Sequence, residues 1–68
     1  MAFFIKAVTS NGTESRDSTA YESVELAFAV IARDFERSSI REVWIEDRAG
    51  LVAMEWSQIL SRLQQQRP

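Results

Sequence analysis

Only two glycines interrupt this chain, Gly12 and Gly50, and each stands between two runs of strand-forming residues. Phe3 to Thr9 leads into Ser10, Asn11, Gly12 and Thr13, where Asn followed by Gly is the strongest short hairpin signal a sequence offers. Ile40 to Asp47 alternates, passes through the turn Asp47, Arg48, Ala49, Gly50, and alternates again from Leu51 to Trp56. Between these two hairpins the apolar residues recur with a helical period. Thr19 followed three residues later by Glu22 has the spacing of a capping box, Glu25 sits early and Arg33 and Arg37 sit late, as the helix dipole favours. The spacing predicts a helix from Ala20 to about Arg37.

The fold class that follows is α+β, in the order β-β-α-β-β-α, a small antiparallel sheet with one long helix packed on its core face. If the polar run Thr13 to Asp17 is loop, the order becomes β-α-β-β-α. With Asn11 and Gly12 as a two-residue loop, Ser10 faces Thr13, Val8 faces Ser15 and Lys6 faces Asp17. In the second hairpin a four-residue loop sets Glu46 opposite Leu51, Ile45 opposite Val52, Trp44 opposite Ala53, Val43 opposite Met54 and Glu42 opposite Glu55. That register gathers Val43, Ile45, Val52 and Met54 on the core face. Ser57 then caps a short second helix, about Gln58 to Gln65, whose apolar stripe is Ile59, Leu60 and Leu63, and the end of the chain, 64–68, is expected to fray.

At 100° per residue Ala20, Val24, Ala27, Phe28, Ile31 and Phe35 form the core-facing stripe of the first helix. Leu26 and Val30 lie off it, beside Arg33 and Arg37, and need a separate cover. Either the second helix supplies it or a second copy of the chain does. Length favours the second copy, because 68 residues make one core that buries only roughly 60% of the unfolded surface. With no Cys and no His, neither a disulfide nor the usual zinc site can reinforce it, so a homodimer is expected through Leu26, Val30, Arg33 and Arg37.

The same inventory argues against catalysis. Without His or Cys no Ser-His-Asp or Cys-His arrangement can be built, and the usual base for neutral pH is missing. No glycine-rich loop exists to cradle phosphate, and Glu42, Glu46 and Glu55 lack the loop of a calcium site, so no enzyme, cofactor or metal is expected. A net charge of -2 and an isoelectric point near 5.0 make nucleic acid and anionic membranes unfavoured partners. No stretch approaches the roughly 20 apolar residues of a membrane span, and Met1 to Val8, with Lys6 inside it, lacks the form of an export signal; the expected location is cytoplasmic.

The outward face of the second hairpin is the chain's candidate site. It carries Glu42, Trp44, Glu46, Leu51, Ala53 and Glu55, a large aromatic and an aliphatic residue among three carboxylates. Trp anchors dominate interface hot spots and acidic rims steer basic partners, so Glu42, Trp44, Glu46, Leu51 and Glu55 are the expected partner-binding residues. The competing structural reading is that the second helix covers Trp44, or that Lys6 or Arg16 neutralises the acids. The function expected is a non-enzymatic protein interaction module, a small acidic adaptor or inhibitor of the kind a phage or mobile element carries, occupying a protein partner's basic or mixed surface. The alternative is a nucleic-acid-associated regulator that joins Arg33 and Arg37 across a dimer.

Overall fold

The computed structural model describes residues 2–17, 19–34 and 40–66. Its elements are β1 (Phe3–Thr9), β2 (Glu14–Arg16), α1 (Val24–Asp34), β3 (Ile40–Asp47), β4 (Val52–Met54) and α2 (Trp56–Gln66). The strands form one antiparallel sheet in the order β2-β1-β3-β4. The chain therefore has the expected α+β order, with Glu14–Arg16 a short edge strand. Long-range pairing of β1 with β3, from Phe3 opposite Asp47 to Thr9 opposite Ile40, joins the two hairpins. Alternation then sends Ile5, Ala7, Val43 and Ile45 to one face, where they are buried with Ala27, Phe28 and Ile31 of α1 and Ile59 of α2. Both helices lie on that face. Burying each branched aliphatic side chain contributes about 1.5–3 kcal/mol, and Val43, Ile45 and Ile59 expose none of their surface.

Both turns differ from the expected ones, for one physical reason. A two-residue Asn-Gly turn needs positive φ at both residues, yet among the described residues only Gly12 and Gly50 have it, each at 88°. The Asn11 Oδ1 instead accepts a hydrogen bond from the Thr13 amide at 3.2 Å and another from the Thr9 hydroxyl. The Gly12 amide donates to the Thr9 carbonyl and the Thr9 amide to the Thr13 carbonyl, both at 2.9 Å, closing a three-residue loop. The register moves by one: Lys6 faces Arg16, Ala7 faces Ser15 and Val8 faces Glu14.

Asp47 does the same in the second hairpin. Its Oδ1 accepts from the amides of Ala49 at 2.9 Å and Leu51 at 3.0 Å, and its own amide donates to the Leu51 carbonyl at 2.9 Å. Glu46 consequently faces Val52, and a bulge then brings Ile45 opposite Met54. The expected pairs of Trp44 with Ala53, Val43 with Met54 and Glu42 with Glu55 do not form. Met54 still packs on the core, but Val52 turns outward and is 52% exposed.

The helices also begin elsewhere. Tyr21 is held by β1, its amide donating to the Phe3 carbonyl at 2.9 Å and accepting the Phe3 amide on its own carbonyl at 2.8 Å, so the chain cannot be helical from Ala20. Ser23 is the cap, its hydroxyl oxygen accepting the Leu26 amide at 3.2 Å. The expected Thr19 and Glu22 capping box is absent, and Phe35 and Arg37 lie outside the described residues. In α2 the cap is Glu55, not Ser57: its carbonyl accepts the Ile59 amide at 3.0 Å, and its amide donates to the Gln58 Oε1 at 2.9 Å.

Candidate interaction face

Both helices lie on one side of the sheet, and among the described residues nothing covers the other side. Phe4, Lys6 and Val8 of β1, Glu14 and Arg16 of β2, Glu42, Trp44 and Glu46 of β3, and Val52 of β4 share it by alternation and register. Lys6 lies at the middle, between Arg16 on one neighbouring strand and Trp44 on the other. Its Nζ is 3.7 Å from Glu14 Oε1 and 3.5 Å from Glu46 Oε2. The Trp44 indole N–H donates to that same Glu46 oxygen at 2.6 Å. At the β2 edge the Arg16 guanidinium lies over the Phe4 ring, 4.4 Å from its centroid.

The expected partner-binding residues are thus divided. Glu42, Trp44 and Glu46 share the open face, with Glu42 exposed and Trp44 and Glu46 half-buried. Leu51 follows the β3–β4 turn and is 68% exposed, close in the chain to Val52. Glu55 lies beyond β4 at the start of α2 and does not confront Glu42. Lys6 balances Glu46, so the face is a mosaic of both charges and not an acidic rim around an indole. The competing reading, that Lys6 or Arg16 neutralises the acids, holds for Lys6, which pairs with Glu46, whereas Arg16 lies over Phe4. Phe4, Lys6 and Arg16 did not stand among the expected binding residues, and they reach the face through the β1–β3 and β1–β2 registers. Their one legible signal was the period-two spacing of Phe4, Lys6 and Val8.

The expected dimer residues sit on α1. Leu26 is 53% exposed, Val30 packs against the core, and Arg33 donates to the Asp34 carboxylate through two nitrogens at 3.2 and 3.1 Å. Arg62 of α2 reaches Glu25 with two bonds of 3.1 and 3.0 Å while its guanidinium lies 4.4 Å from the Phe28 ring centroid. That pairing lowers the Glu25 carboxyl below its ordinary range and raises Arg62. A third polar cluster lies within the connection from β2 to α1. The Thr19 amide at 3.0 Å and the Tyr21 hydroxyl at 2.7 Å both donate to Asp17, holding its carboxyl low, while burial first and the neighbouring Asp17 second push the Tyr21 phenol up.

No helix of the described residues is long and apolar enough to cross a membrane. No protein-family model matches the chain, and neither the curated proteins nor the solved structures contain a significant match to it.

Proposed function

We propose that this chain is a non-enzymatic protein interaction module, a small acidic adaptor or inhibitor that acts in the cytoplasm by laying its open sheet face on a partner of mixed charge. One observation carries the reading: among the described residues the sheet is covered on one side only, and the other side presents Trp44, Phe4, Val8 and Val52 among charged groups of both signs. Large aromatics at the middle of a polar surface are the usual energetic centres of interfaces. Trp44 is the proposed anchor, Glu42 a rim charge, and Leu51 and Val52 the apolar border at the β4 edge. Homodimerisation through the exposed Leu26 side of α1 belongs to the same proposal. The alternative, a nucleic-acid-associated regulator using Arg33 and Arg37 across a dimer, has no specific observation in its favour: Arg33 pairs with Asp34 at the surface, and Arg37 lies outside the described residues.

The test compares capture of cellular partners by the wild-type chain and by Trp44→Ala, after circular dichroism has established that the variant is folded. Loss of a specific protein partner, with affinity reduced about 30-fold or more, is the expected result. Equal capture by both forms would remove Trp44 as the anchor.

A further inference from the structure

At one end of the open face the start of β1, the end of β2 and the β3–β4 turn line a cleft of about 200 Å³, whose walls include Phe4, Lys6, Arg16, Glu46, Asp47 and Arg48. Three cations and two carboxylates meet there, in a chain whose net charge is -2. The carboxylates already have internal donors. Glu46 Oε2 takes Trp44 and Lys6, and Asp47 Oδ1 takes two turn amides. The two arginines differ: among the described residues neither Arg16 nor Arg48 forms an ion pair. Arg16 is nevertheless oriented, because its guanidinium lies over Phe4. A contact through the π face leaves the N–H donors, which lie in the guanidinium plane, available in a fork that matches a carboxylate.

We infer that this cleft binds a carboxylate, an Asp or Glu side chain of the docked protein partner, with Arg16 and Arg48 as its donors. A singly charged group suits the site better than a phosphate dianion, since three positive and two negative groups leave one net positive charge. The inference rests on the docking reading and sharpens it: the partner surface must place an acid here while the indole of Trp44 takes an apolar contact further along the sheet.

The cleft can be probed without the partner. In NMR titrations of the whole chain with sodium acetate, the Arg16 and Arg48 Nε–H signals and the Gly50 amide should shift to saturation, whereas sodium chloride at equal ionic strength should not reproduce the effect. Arg16→Gln should weaken acetate binding about tenfold, the double variant with Arg48→Gln should abolish it, and Arg16→Lys should not restore it despite keeping the charge. Acetate shifts that match those of chloride, or that survive in the double variant, would overturn the site. Tighter binding of inorganic phosphate than of acetate would overturn the carboxylate assignment. Glu42→Lys, opposite Val8 and outside the cleft lining, should leave acetate binding intact while slowing partner association, so failure of the cleft and failure of the docking face read out separately.

Discussion

Lys6 faces Trp44 across the central β1–β3 ladder, and both side chains are drawn to one oxygen, Glu46 Oε2. A carboxylate with only 13% of its side chain exposed therefore does two jobs on an otherwise open surface: it satisfies the indole N–H and it holds the ammonium against the sheet. Glu46→Ala should leave the half-buried indole donor unpaired and cost about 1–2 kcal/mol in urea denaturation. Glu46→Gln keeps an acceptor for the indole and loses only the ion pair, so it should cost less than half as much. Equal losses for the two variants would place the stabilisation in the charge and not in the hydrogen bond.

The core is the second place for a quantitative test. Phe28 and Ile31 of α1 and Ile59 of α2 converge on Val43 and Ile45, and Ile59 is fully enclosed. Truncation of any of the three to Ala should cost about 2–5 kcal/mol, a large share of the stability of a domain this size. Thermal melts of the three variants check it. Ile59→Ala is the most discriminating, because a melt like that of wild type would mean that α2 is not part of the core.

How far the fold could be read from the sequence is clearest at its boundaries. Strand and helix order followed from periodicity, and Phe28 and Ile31 fell on the right stripe, because burial enforces period on sequence. The registers did not follow, since Asn11 and Asp47 use their side chains to build three-residue loops that compete with the simpler turns. Nor did the start of α1. Tyr21 is recruited by Phe3, 18 positions earlier (21 − 3), a tertiary bond that no local pattern records. The open face was half legible: Trp44, Glu42 and Glu46 stood out, whereas Lys6 and Arg16 reached them only through long-range pairing. Capping variants separate the two accounts of α1. Ser23→Ala should cost about 1 kcal/mol and Thr19→Ala much less, measured by chemical denaturation.

The link between Asp17 and Tyr21 sets a pH dependence with two opposite signs. Asp17 is lower in the folded chain than in the unfolded one, so its contribution is present above the ordinary carboxylate range and is lost as pH falls through its lowered value. Tyr21 is raised in the folded chain, so its contribution is present below the ordinary phenol range and is lost as pH rises through its raised value. Tyr21→Phe should cost about 1 kcal/mol at neutral pH and flatten the alkaline loss of stability. It should also weaken the acid dependence, though not abolish it, because the Thr19 amide still holds Asp17 and Arg62 still holds Glu25. Stability curves against pH for wild type and Tyr21→Phe that run parallel at alkaline pH would show the hydroxyl to be idle.

The exposed side of α1 is where the proposed homodimer can be tested. Leu26 is 53% exposed one turn before the core-packed Val30, and Leu60 of α2 is 37% exposed, although α2 already meets α1 through Arg62 and Glu25. The second helix thus supplies a cover for Phe28 but leaves Leu26 in water, which is the residue that a second copy would bury. Two-fold pairing around Leu26 would add apolar contact to a chain with a small core and no disulfide. Light scattering after size exclusion should give a dimer mass at micromolar concentration, and Leu26→Arg should reduce it to the monomer while the circular dichroism spectrum is unchanged. Leu51→Arg, at the far end of the sheet, should leave the dimer intact. A wild-type monomer across the micromolar range would remove the dimer, and dissociation by Leu51→Arg but not by Leu26→Arg would move the contact from the helix to the β4 edge.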